Sequence, residues 1–216
     1  MCTRSPDVAV DNDVLIKSAC YGLTEQLLGS DLAGVLGAAK YVVAGRISKM
    51  ELAGDRAAAQ DAAAAAIRRS TILEPTDEEL SLATEIETVA QRRSLELDAG
   101  ESQLAAMIIV RSIPFLETGD KRALRSFEAL LPVVADLAAL RGRLRCLEQM
   151  VQRYADTAHH PDELTRAICT EPHVDKTLSI CFRCYSPPPH GTAIDRAALD
   201  SYVAALRAAA PNVLAP

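Results

Sequence analysis

The sequence predicts an α/β fold: a three-layer α/β/α domain with a mainly parallel central sheet and a small Cys-containing C-terminal extension. Two observations carry this. Short apolar runs that read as strands alternate with longer stretches of helical periodicity, the pattern of parallel strands joined by crossover helices. The composition permits one sizeable core, because 49% of the 216 residues are apolar. With no Trp, three Phe and five Tyr, that core must be built from Ala, Leu, Val and Ile.

Taken in order, residues 7–10 read as a short buried strand, and 13–28 as a helix with Leu15, Ile16, Ala19, Leu23 and Leu27 on one stripe. Residues 31–45 are ambiguous, since Gly34, Gly37 and Gly45 flank Tyr41-Val42-Val43, which fits a strand or a helix end. Ala content makes 50–69 a helix. The pattern breaks at Ile72-Leu73-Glu74-Pro75. Thr76 with Glu79 forms a capping box for a helix over 77–93. Asp98 opens a helix to about Arg111, Ile113 to Leu116 follow as a strand, and 121–131 is helical. Leu144-Arg145-Cys146-Leu147 is a further strand or the start of a helix to Tyr154. Character changes after His159-His160-Pro161, and a last helix spans 195–209. The division expected is therefore 1–155 for the main domain and 156–216 for the extension.

Charge and cysteine usage narrow the class. A net charge of −6 argues against a general nucleic-acid coat protein but not against local binding through a few Arg residues and a metal. No apolar stretch of signal-peptide or membrane-span length is evident, so a cytoplasmic protein with no membrane association is expected, its six Cys reduced or ligating metal.

Three acidic residues should meet. Asp11 and Asp120 each follow a strand, and ligands of open parallel sheets lie beyond the carboxyl ends of strands. Glu101 opens the helix that leads back into the second of those strands. Its helix of about 14 residues rises roughly 21 Å, enough to return Glu101 to the same edge. Glu101 shares a stripe with Leu104, Ala105 and Ile108, the inward face, where an unpaired charge is costly. Two carboxylates 4 Å apart repel by roughly 4 kcal/mol at an effective dielectric near 20. Mg²⁺ or Mn²⁺ would reverse that sign. The plainer reading is capping: Asp98-x-x-Glu101 as a capping box, Asp120 as cap of the 121–131 helix, Asp11 or Asp13 as cap of the first.

On these residues the sequence resembles the PIN-domain nucleases. Val10-Asp11-Asn12-Asp13-Val14-Leu15-Ile16 is similar to the family's first motif, Gly100-Glu101-Ser102-Gln103-Leu104-Ala105-Ala106 to its acidic helix start, and Glu117-Thr118-Gly119-Asp120-Lys121-Arg122-Ala123 to its Thr-x-Asp strand end. The resemblance covers roughly residues 7–135. It implies a Mg²⁺- or Mn²⁺-dependent ribonuclease, often the toxin of a toxin–antitoxin pair, with RNA as substrate, an antitoxin protein as partner and a homodimer as a common state. By that resemblance Asp11, Glu101 and Asp120 are metal ligands, Asp13 assists, and Thr118 orients water or substrate or serves as a plain strand-end hydroxyl. The family's second acid falls on Glu51, in a segment that departs from the pattern.

Cys169, His173, Cys181 and Cys184 have the ligand types of a tetrahedral Zn²⁺ site, against unligated thiols in the tail. Arg68-Arg69, Arg92-Arg93 and Arg141-x-Arg143-x-Arg145 read as solvated helix faces, the last able to touch phosphates. His159-His160 reads as a solvated loop. Two rival functions stand. Asp11-Asn12-Asp13-Val14 also resembles the opening motif of the haloacid-dehalogenase phosphatases, although the later paired acids are missing. A PIN-like module without catalysis would bind a partner through the 50–69 helix.

Overall fold

The computed structural model describes residues 6–29, 33–157, 161–185 and 194–216. Cys2, His159, His160 and the run at 187–189 lie outside the described residues. Five strands form one wholly parallel sheet: β1 (Val8–Val10), β2 (Ala33–Leu36), β3 (Thr71–Leu73), β4 (Phe115–Thr118) and β5 (Leu144–Cys146), in the order β3-β2-β1-β4-β5. The α/β class with a parallel sheet between two helical layers is as expected.

Successive side chains of a strand point to opposite faces, so each strand feeds two cores. Val8, Val10, Ala33 and Val35 face one core, Ala9, Leu36, Leu73, Leu116, Leu144 and Cys146 the other. On the first face pack α1 (Asn12–Cys20), α2 (Thr24–Leu28), α3 (Ala39–Lys49), α4 (Arg56–Arg69) and α8 (Leu147–Thr157). The second face is covered by α5 (Asp77–Arg92), α6 (Ala99–Val110), α7 (Lys121–Leu130) and a 3-10 helix (Ala135–Leu140). Apolar residues on both faces explain why the strands read as continuous apolar runs rather than alternating ones.

Several boundaries differ from the sequence reading. The helix expected over 13–28 breaks at Gly22, whose φ of +66° is a left-handed turn that separates α1 from α2. The 50–69 helix starts only at Arg56, capped by the Asp55 carboxylate. The ambiguous 31–45 stretch resolves into β2 followed by α3, and Tyr41-Val42-Val43 is helical. The break at 71–73 is the edge strand β3. Leu144 to Leu147 hold both candidates, β5 and the start of α8. The capping box of Thr76 and Glu79 forms as read, and Glu79 also pairs with Arg111 at 2.6 Å, tying α5 to the end of α6.

The C-terminal segment carries α9 (Pro161–Thr170), α10 (Lys176–Cys181) and α11 (Arg196–Ala209). Leu164, Ile168, Leu178, Phe182, Leu199 and Val203 pack into the first core. The tail then runs beside β5: Leu144 donates to the carbonyl of Val213 at 2.9 Å and accepts from Ala215 at 2.7 Å. That covers one edge of the sheet, which would otherwise present unpaired backbone groups.

The cysteine expectation is corrected for one pair, while Cys20, Cys146 and Cys181 are free thiols. Cys169 at the end of α9 and Cys184 beyond α10 are joined in a disulfide. The chain between α9 and the end of α10 decides which sulfurs meet. No described helix is long and apolar enough to cross a membrane.

Candidate acidic cleft at the switch point of the sheet

Strand order reverses at β1, where the chain steps outward to β2 and β3 and then returns to lay β4 on the other side. Ligands of such sheets bind outside the carboxyl ends of the strands at that reversal. A cleft of about 630 Å³ opens there, and Asp11, Asp13, Asp98, Glu101 and Asp120 all line it.

Each carboxylate is placed by a helix start. Asp11 caps α1, accepting the Asp13 N–H at 3.4 Å. Asp120 caps α7, accepting the Arg122 N–H at 2.7 Å. Asp98 and Glu101 form a reciprocal capping box: the Glu101 N–H donates to Asp98 at 2.8 Å, and the Asp98 N–H donates to Glu101 at 3.0 Å. Capping and convergence are thus not alternatives. The same local chemistry that starts these helices aims their first side chains into one cleft.

Crowding shows in the proton affinities. Burial pushes the Glu101 carboxyl up to about 8, and the charges of Asp98, Asp120 and Asp11 add to it against the Asp98 N–H. Burial likewise pushes Asp11 up to about 6, with Asp13 and Asp98 adding, against the N–H groups of Asn12 and Asp13. Asp120 goes the other way: burial alone would raise it, but the Arg122 guanidinium, 2.7 Å away, holds it below the usual carboxylate range. Asp13 approaches closely because residue 119 is glycine; a Cβ there would collide with the Asp13 carboxylate. Lys17 pairs with Asp13 at 2.7 Å, and Arg46 stands 3.7 Å from it.

Beneath the acidic layer lies a basic one. Lys17 and Lys121 line the cleft and share Asp175, at 2.7 and 3.2 Å, and Lys121 also pairs with the fully buried Glu148 at 2.7 Å. Burial alone would lower Lys121, but Glu148 and Asp175 raise it, so its charge is held firmly. Burial would raise Asp175, but the two lysines bring it down to about 2. Asp175 caps α10, so the C-terminal segment supplies a wall of the charge network.

The donor set suits a hard divalent cation: several carboxylates, two of them with proton affinity raised by burial and, less, by their acidic neighbours. Among the described residues no three carboxylate, imidazole or thiol groups stand together as a ready-made cage. Glu101 is turned toward the Asp98 N–H and Asp120 toward Arg122.

Two expectations, Glu51 and the zinc set, are corrected, and of the two readings of Thr118 the strand-end hydroxyl is the one seen. Glu51 is exposed beyond the end of α3 and does not line the cleft; Asp13 and Asp98 supply the additional acids there. Thr118 is buried, and its hydroxyl accepts the Asp120 N–H at 3.1 Å, so it shapes the turn that presents Asp120 rather than facing water or substrate. The zinc set does not assemble, because the disulfide consumes Cys169 and Cys184, Cys181 is buried in the core, and His173 lies against the Tyr185 ring. The arginines of 141–145 are structural as well. Arg143 donates to the carbonyls of Ile108, Ile113, Pro114 and Ala139, Arg145 stacks on Phe115, and Arg141 binds Asn212.

The sequence reading missed Lys17, Arg46, Lys121, Glu148 and Asp175. Lys17 lies four residues after Asp13 and Lys121 directly after Asp120, so both had a local signal. For Asp175 and Glu148 there was none, because only the tertiary fold brings them to the lysines. No family model, curated protein or solved structure matches this chain.

Proposed function

We propose that this chain is a divalent-metal-dependent endoribonuclease of the PIN-like kind. The observation that carries the reading is the gathering of Asp11, Glu101 and Asp120, from three separate parts of the chain, in one cleft at the sheet's switch point. These three would hold Mg²⁺ or Mn²⁺, with Asp13 beside them. When bound, such an ion lowers the pKa of an attacking water and offsets charge on the scissile phosphate.

The chain's own residues supply the rest. Lys17 and Lys121 place fixed positive charge at the floor of the cleft, and Arg46 and Arg122 stand exposed at its rim, where they can meet phosphates. Arg122 now occupies Asp120. An RNA phosphate is a competing partner for that guanidinium, so substrate entry would free Asp120 to turn inward.

A phosphatase using Asp11 and Asp13 is the lesser rival, behind a non-catalytic interaction module. Asp13 is committed to Lys17, which leaves it poorly placed as a free acid/base. The experiment is cleavage of labelled single-stranded RNA, and of p-nitrophenyl phosphate, by purified protein with Mn²⁺, Mg²⁺ or EDTA. RNA should be cut only with metal, and Asp11→Asn and Asp120→Asn should each stop it. Metal-independent cleavage, full activity in both variants, or turnover of the small ester alone would overturn the proposal.

A further inference from the structure

The outward face of α3 carries features the cleft does not explain. The helix holds Lys40, Arg46 and Lys49 and no acidic residue, in a chain whose net charge is −6. Ala39, Val43 and Ile47 anchor it to the core, fully buried. The opposite side presents Tyr41, Val42, Gly45, Arg46 and Lys49 at helical spacing. Tyr41 is 74% exposed and Val42 39%, side by side on open surface. Lys40 lies 4.9 Å from the centre of the Tyr41 ring. The same helix forms a wall of the cleft through Val42 and Arg46.

Gly45 is the second, independent observation. Glycine weakens a helix interior relative to alanine. Packing gives no reason for it, because a Cβ at 45 would meet nothing within 4 Å. A bare stretch of helix surface between an exposed aromatic and two cations permits close approach of a ligand.

We propose that this face of α3 is a platform for single-stranded RNA leading into the cleft: Tyr41 stacks a base, while Arg46 and Lys49 follow the phosphates across Gly45. Stacking on an aromatic beside a basic track is how single strands are held without sequence readout. The inference rests on the nuclease reading for the identity of its ligand and on α3 alone for its location.

The test is fluorescence anisotropy of a short fluorescein-labelled single-stranded RNA on the full chain, with EDTA present so that no cleavage occurs. Tyr41→Ala should weaken binding about tenfold, as expected for one lost stacking contact. Gly45→Leu should weaken it similarly while leaving the melting temperature unchanged or higher, and Gly45→Ala should weaken it less. A duplex of the same sequence should compete poorly. Unchanged affinity in both Tyr41→Ala and Gly45→Leu, or equal binding of the duplex, overturns the proposal. So does a change of sedimentation in those variants without a change in RNA affinity, which would mark the face as a contact between copies. If the parent cleaves RNA but the variants bind it undiminished, the platform fails and the nuclease reading stands. If the variants lose binding but the parent never cleaves, the platform stands and the nuclease reading fails.

Discussion

The backbone N–H of Asp11 donates to the carbonyl of Glu117 at 2.9 Å. This bond extends the pairing of β1 with β4 one residue beyond the Val10–Glu117 register. Asp11 and the Thr118-Gly119-Asp120 turn therefore leave the sheet side by side, and α6 returns Glu101 to the same edge. Residues about 110 apart in sequence line one cleft because parallel strands bring their carboxyl ends to one side.

Glu101→Gln separates stability from function. Glutamine keeps an oxygen for the Asp98 N–H but removes a charge that its surroundings disfavour. Metal-free protein should gain stability on the order of 1 kcal/mol by thermal melting. Metal-dependent cleavage should fall by more than about 100-fold. A variant that melts lower and still cleaves would contradict this placement of Glu101.

The pH dependence has a definite sign. Glu101 and Asp11 have proton affinities raised from 4.5 to about 8 and from 3.8 to about 6. Between each ordinary value and its raised value the folded chain binds more protons than the unfolded one. These groups therefore make metal-free stability fall as pH rises through that window. At the proposed metal site Mn²⁺ would need both carboxylates ionised, so its stabilising effect should grow over the same range and its binding should release protons. Melts with and without MnCl₂ across the window check this, and the slope should flatten in Glu101→Gln.

Gly119→Ala should damage the cleft more than the fold. The new Cβ displaces the Asp13 carboxylate and with it the pairing to Lys17 and Arg46. Since Asp13 can swing outward, the stability loss should be only about 1 kcal/mol. Cleavage should drop while the circular dichroism spectrum is unchanged.

Lys121→Met removes the partner of Glu148, whose side chain is fully buried. Breaking a buried pair from one side typically costs roughly 3–5 kcal/mol. Adding Glu148→Gln should recover part of that loss. Denaturant unfolding of the single and double variants measures the coupling.

The Cys169–Cys184 bond closes a loop of 15 residues. Chain-entropy arguments put its contribution at about 3 kcal/mol. Reductant, or paired Cys169→Ser and Cys184→Ser, should lower the melting temperature accordingly, and zinc chelators should have no effect on the oxidised protein.

What could be read ahead of the structure was local or periodic. The capping boxes at Thr76–Glu79 and Asp98–Glu101 are three-residue patterns whose hydrogen bonds close within one turn. β1 and β4 stood out as apolar runs, and the long helices α5, α6 and α11 lie close to where periodicity put them. β3 was missed because it is a three-residue edge strand with Ile72 facing outward, too short to carry a pattern. α9 and α10 were missed because the cysteines and histidine of that tail suggested metal ligation instead of helix.

The sequence by itself determined the α/β class, the helix starts at Thr76, Asp98 and Asp120, and the position of Asp11, Glu101 and Asp120 at one edge of the sheet, since each follows from the polarity of a single element. Only the tertiary structure decided that Lys17 and Lys121 underlie those acids, that Asp175 and Glu148 hold the lysines, that Glu51 stands apart, and that Cys169 meets Cys184. Those pairings join residues whose distance along the chain carries no information about their distance in space, so no local rule of spacing could have set them.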